Sequence, residues 1–193
     1  MVKNGWQAVV AGVGGQGVLF VTKMLAAAVA GENGRVLISE VHGMAQRGGS
    51  VLSHLKVGGF AGPLVAMGRA DLLLSLEPGE AVRNLGFLAP GAALVVNAAD
   101  GEFLSQEARR SLSRRKVRVL FTDAAQAARD AGDPRGANLA LLALAAKAGM
   151  LPVSAAGLKA AVLRQTSEAR RESNERLLSL ASSPAGTSAR RQC

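Results

Sequence analysis

Short apolar runs alternate with helical-period segments along the first part of the chain. Residues 6–11 form an apolar run that predicts a strand, residues 16–30 repeat apolar side chains with a helical period, and residues 35–39 form a second short run. Gly31 and the turn-forming pair Asn33-Gly34 are expected to end the helix. A strand, a helix and a strand in this order predict a βαβ unit, which is right-handed and parallel in nearly all proteins.

The alternation continues through the rest of the chain. Further strands are predicted at 50–57, 72–76, 92–96 and 117–121, and further helices at 78–85, 138–148, 155–165 and 168–180. The short return before residue 50 leaves no room for a crossover helix, so the third strand is expected to be antiparallel. Asp123 and Ser154 are predicted helix caps, and Glu77 is expected to interact with the amides of the helix that follows it. The pattern predicts a three-layer, Rossmann-like α/β domain with a mostly parallel mixed sheet of about six strands and helices on both faces.

The turn after the first strand reads Gly-Val-Gly-Gly-Gln-Gly and contains Gly12, Gly14, Gly15, Gln16 and Gly17. It leaves backbone amides uncovered beside a helix N-terminus, so it suits an anion or another backbone. Gly12, Gly14 and Gly17 also satisfy G-x-G-x-x-G, and Glu40 lies near the spacing of a ribose-binding acid. A dinucleotide site and a tight turn that binds nothing both remain open on this spacing.

Residues 40–50 have neither helical nor strand periodicity and are predicted to form a loop at the carboxyl end of the second strand. In an open α/β sheet this edge is where ligands and partners bind. Arg47, which is followed by Gly48 and Gly49, can present its guanidinium without neighbouring bulk. His42 and His54 have no acid-rich cluster nearby, so both are expected to make hydrogen bonds rather than to bind a metal.

Composition and charge narrow the class of protein. The chain has 193 residues, of which 49% are hydrophobic and 3% aromatic, so one domain with a core of Ala, Val and Leu is expected. A single cysteine, Cys193, excludes a disulfide or an iron–sulfur cluster carried by this sequence alone. No signal core or membrane-length apolar run is recognised, so a cytoplasmic location is expected. Residues 1–181 are predicted to form a single domain, and 182–193 a disordered tail.

The formal net charge of +9 is concentrated in the second half of the chain. Its densest part, the basic cluster, comprises Arg109, Arg110, Arg114, Arg115, Lys116 and Arg118. Such a cluster could meet nucleic acid, a phosphate-bearing ligand or an acidic protein, or could simply face solvent. Nucleic acid is disfavoured because no aromatic side chains are interleaved to stack on bases.

Three motifs, in order, resemble the gamma-type subunits or domains of 2-oxoacid:ferredoxin oxidoreductases, and most closely the beta subunits of indolepyruvate:ferredoxin oxidoreductases. Residues 12–17 resemble the family's G-x-G-G-Q-G, residues 40–50 its E-x-x-G-x-x-Q-R-G-G-[ST], and residues 71–78 its D-x-L-L-x-L-E-P. Weaker matches follow at Asn97, Asn138 and Asn174, so the resemblance covers roughly residues 5–180.

The resemblance implies a subunit that carries no cofactor or metal and is inactive alone. It belongs to an enzyme that oxidatively decarboxylates indolepyruvate and other aryl pyruvates, with coenzyme A as co-substrate, to aryl-acetyl-CoA, and passes electrons to ferredoxin. Thiamine diphosphate and iron–sulfur clusters are implied on a separate large subunit of a hetero-oligomer, with neither nucleic acid nor membrane as partner. The alternative is a free-standing NAD(P)- or nucleotide-binding domain of Rossmann type.

No catalytic residue is predicted on this chain. The residues expected to bind a cofactor or face a partner are Gly12, Gly14, Gly15, Gln16, Gly17, Glu40, His42, Gln46, Arg47, Gly48 and Gly49.

Overall fold

The computed structural model describes residues 5–42, 48–180 and 190–192, and only the backbone of His42, Leu180 and residues 190–192. The strands are β1 (Trp6–Val13), β2 (Val36–His42), β3 (Ser50–Val57), β4 (Ala70–Ser75), β5 (Leu88–Asn97), β6 (Arg118–Thr122) and β7 (Arg190–Gln192). The helices are α1 (Val18–Gly31), α2 (Pro78–Arg83), α3 (Gln106–Arg114), α4 (Ala124–Asp130), α5 (Ala137–Lys147), α6 (Ala155–Gln165) and α7 (Glu168–Leu180). A 3-10 turn (Leu85–Phe87) follows α2.

The strands form one mixed sheet in the order β2-β3-β1-β4-β5-β6-β7. Strands β1, β4, β5 and β6 run parallel, while β3 lies antiparallel between β2 and β1. The predicted α/β class, the mixed sheet of about six strands and the antiparallel third strand are therefore confirmed. β2 has the direction expected of a βαβ unit, but β3 separates it from β1.

The two faces of the sheet are covered unequally. The five-helix face packs α1 and α4–α7 against alternate side chains of the strands, among them Val10, Leu72 and Val95. The two-helix face carries α2, the 3-10 turn, residues 58–69 and α3, which pack on the opposite set, including Val9, Leu73 and Phe121. Adjacent strand residues point to opposite faces, so each strand contributes to both cores.

Local sequence signals account for most of the helix boundaries. Gly17 begins α1 in the left-handed region, and Asn33, at φ 59°, turns the chain after it. The predicted caps are confirmed, because Asp123 accepts a hydrogen bond from the Gln126 amide and Ser154 accepts one from the Gly157 amide. Helices α6 and α7 have the predicted bounds.

The structure differs from the sequence-based expectations in three places. Glu40 to His42 belong to β2 rather than to a loop, because they pair with β3 through its first residues. Helix α3 was not predicted, because its sequence is polar and only Leu112 is buried. Part of the segment expected to be a disordered tail, Arg190–Gln192, pairs antiparallel with β6; the domain boundary after residue 181 stays a prediction.

Candidate functional site

The glycine turn and the glycine end of the segment before β3 meet at the carboxyl end of β1. The Gly14 amide donates a hydrogen bond of 2.9 Å to the Gly49 carbonyl. A Cβ placed on Gly14 would lie 3.6 Å from the Gly48 nitrogen and 3.9 Å from the Gly49 oxygen, so the two backbones are in van der Waals contact. Two segments singled out separately in the sequence therefore form one surface.

Gln16 holds this turn to the rest of the domain. Its Oε1 accepts a hydrogen bond of 2.9 Å from the Val13 amide, and its Nε2 donates one of 3.1 Å to Glu77 Oε2. Its carbonyl accepts a bond of 3.2 Å from Asn138 Nδ2, across 122 positions of sequence. The turn is thus fixed in shape by β1, by the end of β4 and by α5.

The glycines of the turn divide into inward and outward positions. A Cβ on Gly12 would lie 2.9 Å from Gln16 Oε1, and one on Gly17 would lie 2.2 Å from Asn138 Nδ2, so both glycines are required by packing. A Cβ on Gly15 or on Gly48 would meet no described atom within 4 Å. The inner side of the turn is therefore filled by this chain, and none of the residues that the structure describes covers the outer side.

A second polar link joins β3 to α2 on the two-helix face. Ser50 Oγ donates a hydrogen bond of 2.7 Å to Glu80 Oε2, and the Arg83 guanidinium pairs with the other carboxylate oxygen. The Glu80 side chain is only 1% exposed, whereas that of Arg83 is 73% exposed. This buried carboxylate was not predicted, because Ser50 is brought to it only by the fold.

Glu77 has a different partner from the expected one. It occupies the N-cap position of α2, but its side chain makes no capping hydrogen bond. Its carboxylate instead accepts from Gln16, because Gln16 lies at the neighbouring carboxyl end of β1. The prediction that Glu77 interacts with the amides of α2 is therefore wrong.

The position of Glu40 argues against a dinucleotide site at this turn. Glu40 is exposed on β2 and pairs in register with Ser53 of β3. Because β3 lies between β2 and β1, Glu40 is two strand spacings, about 10 Å, to the side of β1. In the dinucleotide-binding arrangement the acid lies on the neighbouring strand, and the turn's amides face phosphate. Here the Gly14 amide already binds the chain's own carbonyl.

Among the other predicted residues, His54 is described in full. Its Nδ1 accepts a hydrogen bond of 3.3 Å from the Val65 amide, and its ring packs edge-on against Phe87, which confirms a hydrogen-bonding role. Burial, followed by the charge of Lys56, lowers the pKa of His54 below its usual range. The side chain of His42, and Gln46 and Arg47 altogether, lie outside the described residues.

The site offers shape and hydrogen bonding rather than an evident catalytic group. Within residues 5–42 and 48–180, no group of three or more His, Cys, Asp or Glu side chains is placed to hold a metal ion. No helix in the described part of the chain is both long enough and apolar enough to cross a bilayer. The site is therefore a rigid double turn, which consists of residues 12–17 together with Gly48 and Gly49. It presents backbone at the carboxyl edge of a mixed sheet.

Fold and site together define an α/β domain in which the chain's own Gly49 carbonyl accepts the hydrogen bond of the Gly14 amide in the glycine turn. The family of pyruvate ferredoxin/flavodoxin oxidoreductases matches residues 7–183. The chain belongs to that family.

One curated relative and two solved structures illustrate what the chain is similar to. The indolepyruvate oxidoreductase subunit IorB of Archaeoglobus fulgidus is 44% identical over 89 residues, which is 46% of this chain and 44% of the relative. The gamma subunit of a keto/oxoacid ferredoxin oxidoreductase from Geobacter sulfurreducens has a TM-score of 0.71 at 23% identity, covering 91% of this chain and 95% of its own. The 2-oxoglutarate:ferredoxin oxidoreductase of Magnetococcus marinus has a TM-score of 0.74 at 19% identity, covering 93% of this chain and 31% of its own.

These two solved structures have the same fold as this chain. The match to the curated relative covers less than half of either sequence, and the chain covers about a third of the Magnetococcus polypeptide.

Proposed function

We propose that this chain is the small, cofactor-free subunit of a 2-oxoacid:ferredoxin oxidoreductase that decarboxylates indolepyruvate and other aryl pyruvates with coenzyme A. Family membership over residues 7–183 supports the reaction class. The name of the curated relative supports the aryl substrate. In this proposal thiamine diphosphate and iron–sulfur clusters are held by a large partner subunit, electrons pass to ferredoxin, and the assembly is cytoplasmic.

The observation that carries the proposal is the hydrogen bond between the Gly14 amide and the Gly49 carbonyl. It joins the two glycine motifs of the resemblance into one surface whose outer side, at Gly15 and Gly48, is open. A backbone surface without projecting side chains lets another protein approach closely. We assign this double turn to the contact with the large subunit, and from the sequence alone we include Glu40, His42, Gln46 and Arg47 in it.

A substitution on the outer side separates contact from folding. Gly48 has φ +69° and open space around it, and asparagine tolerates that conformation, so Gly48→Asn adds bulk at small cost to the fold. Gly132→Asn is the matched control, because Gly132 has φ +78°, is equally open and lies beyond the far end of α4. Affinity for the large subunit should fall about tenfold or more in Gly48→Asn, about 1.4 kcal/mol, and stay unchanged in the control.

The measurements are assembly with the large subunit, ferredoxin-linked oxidation of indolepyruvate, and melting of the isolated chain. Equal assembly by the two variants, with both folded, would remove the double turn from the interface.

The isolated chain should be colourless and inactive. Calorimetry should detect no binding of NAD or NADP near physiological concentrations; micromolar binding lost in Glu40→Ala would favour the nucleotide-binding alternative.

Arg47 provides a second test of the same surface, and its role rests on the sequence alone. If its guanidinium binds a carboxylate of the large subunit bidentately, Arg47→Lys keeps the charge but loses the planar pair, so activity should be intermediate. Arg47→Ala should lose on the order of 2 to 5 kcal/mol of binding. Arg129→Ala, an exposed arginine on α4, is the control. Unfolding of the isolated Arg47→Ala chain would make Arg47 structural instead.

A further inference from the structure

A cleft of about 960 Å³ runs along the outer edge of β6, far from the glycine turn. Strand β6 is separated from β1 by β4 and β5, so β6 lies about 14 Å to the side of β1 and the cleft lies beyond it. Apolar side chains from both layers of the domain form its walls. Leu104 and Leu112 lie on the two-helix side, and Leu144 and Met150 lie on the five-helix side.

Cations surround this apolar interior. Arg109, Lys116, Arg118 and Lys147 line the cleft, and the described residues that line it include no acidic side chain. Arg109 is held in place, because its guanidinium donates to the Gly101 carbonyl at 2.6 Å and to the Leu104 carbonyl at 3.0 Å. Lys116 and Arg118 are exposed. The cleft is therefore an apolar groove with positively charged side chains around it, and three of them belong to the basic cluster.

The backbone of β6 is able to pair on this side. Val119, Leu120 and Phe121 pair antiparallel with residues 192, 191 and 190 of β7. This added strand is only three residues long, whereas β6 has five. An edge strand with unpaired N–H and C=O groups is a template for an extended segment from another protein.

The sequence of β7 is a poor match to the charge of the cleft. Two of its three residues are arginines, so the strand that pairs with β6 adds positive charge to an edge whose cleft is already lined by cations. An extended segment that alternates acidic and apolar residues would pair with the same backbone, with its apolar side chains against the wall of one layer and its carboxylates beside the cations of the other. We infer that the β6 edge is a docking site for such an acidic strand of a partner protein, which replaces β7 on binding.

The inference does not depend on the 2-oxoacid substrate or on the double turn. It needs only that another protein presents an extended acidic segment to this chain. A competing explanation is that the cations merely keep the β6 edge from pairing with other chains, as charged residues do on many edge strands. The two explanations differ in what an acidic peptide should do.

The test measures binding of a fluorescent, acetylated peptide of about eight alternating glutamate and valine residues, a usual strand length, to the full chain. Three comparison probes are the same peptide with lysine for glutamate, the same peptide N-methylated at consecutive residues so that both of its edges lose donors, and a single-stranded oligonucleotide. N-methylation removes ladder donors without changing charge. The acidic peptide should bind, and each of the first two comparison peptides should bind at least tenfold more weakly.

Two pairs of variants locate the site. Arg118→Glu should weaken binding of the acidic peptide at least tenfold, whereas Arg110→Glu, in the same basic cluster but outside the cleft lining, should leave it nearly unchanged. The double variant Arg190→Pro with Arg191→Pro should bind several-fold more tightly than the unaltered chain. Successive N–H groups point to opposite sides of a strand, so one of these two prolines removes a donor that faces β6 whichever way β7 pairs. The control is Arg190→Gln with Arg191→Gln, which removes the same charges but keeps the N–H groups of β7. It should strengthen binding of the acidic peptide less than the double proline variant does.

Three outcomes would overturn the inference. Equal binding of the N-methylated peptide would reduce the interaction to charge attraction without strand pairing. Tighter binding of the oligonucleotide, lost in Arg118→Glu, would make the groove a nucleic-acid site. Absence of peptide binding even in the double proline variant would leave the cations as protection of the edge. Because the large subunit takes no part in these assays, their failure would leave the proposed enzymatic role untouched.

Discussion

The two faces of the sheet are built by different means. The five-helix face is a continuous apolar layer in which side chains such as Leu141 and Leu142 are fully buried. The two-helix face has shorter elements, includes the buried polar residues His54 and Glu80, and leaves Met67 66% exposed. The five-helix face also buries polar side chains such as Thr22 and Asn174, but the buried carboxylate and imidazole lie on the two-helix face, so links through ionisable groups contribute more there.

Matched leucines on the central strand should give the largest difference between the faces. Leu72 and Leu73 are adjacent on β4, both are fully buried, and they point to the five-helix and the two-helix face, respectively. Leu72→Ala should cost about 4 to 5 kcal/mol, because long helices cannot collapse into the cavity. Leu73→Ala should cost about 3 kcal/mol, because the shorter segments above it can relax.

Urea unfolding of both leucine variants gives the free energies of unfolding. Equal losses would show that the thinner layer is as rigid as the helical one. A larger loss for Leu73→Ala would reverse the comparison.

The next effect concerns the contact between Asn138 of α5, on the five-helix face, and the glycine turn. Gly17→Ala should cost about 2 to 3 kcal/mol, because a left-handed residue with a Cβ costs about 1 to 2 kcal/mol and the displaced Asn138 side chain loses its hydrogen bond to Gln16. Gly15→Ala, at φ +97° with no described atom near the new Cβ, should cost only about 1 to 2 kcal/mol, the cost of a left-handed residue with a Cβ. In an Asn138→Ala background the two substitutions should cost nearly the same. A persisting difference there would assign the excess to another contact.

Ser50 of β3 tests the polar link on the two-helix face, and Ser53, which points to the other face of the same strand, is the comparison. Ser50→Ala removes a donor to the buried Glu80 carboxylate and should cost about 1 to 2 kcal/mol, since Arg83 still holds the other oxygen. Ser53→Ala should be neutral or slightly stabilising, because the buried Ser53 hydroxyl has no hydrogen-bond partner among the described residues. Chemical denaturation of both variants provides the measurement. A costly Ser53→Ala would indicate a partner for that hydroxyl.

The smallest effect is a pH dependence on the two-helix face. The pKa of His54 is lowered from its ordinary value of 6.5 by burial and then by Lys56, so the folded chain binds fewer protons than the unfolded chain just below pH 6.5. The free energy of unfolding should therefore decrease as the pH falls through 6.5 toward the lower folded-state pKa. In His54→Asn, whose Oδ1 can replace the Nδ1 acceptor, this slope should be shallower. An unchanged slope would assign the dependence to other groups.

Regular, strongly patterned elements could be predicted from the sequence. β1, α6 and α7 have apolar periods with clear turn or cap signals, and the short return to β3 fixed its antiparallel direction. Helix α3 escaped prediction because a polar helix with one buried leucine has almost no apolar period.

The candidate site was predictable only in part. Its glycines carry a local signal, but the partners of Gln16 and Ser50 do not. Asn138 is 122 positions from Gln16, and Glu80 is 30 positions from Ser50. Contacts of this kind depend on which strands become neighbours, and β3 could have been inserted elsewhere in the sheet without any change in its own pattern.

The link between Gly14 and Gly49 has a consequence for how this surface can change during evolution. Donor and acceptor both belong to the main chain, and a methyl group at position 14 would sit at ordinary contact distance from its neighbours. Most single substitutions therefore cannot delete either hydrogen-bonding group. Proline at position 14, or an insertion or deletion that shifts the register of the segment before β3, would break the link directly. A saturation scan should then find this junction far more sensitive to chain length than to side-chain identity.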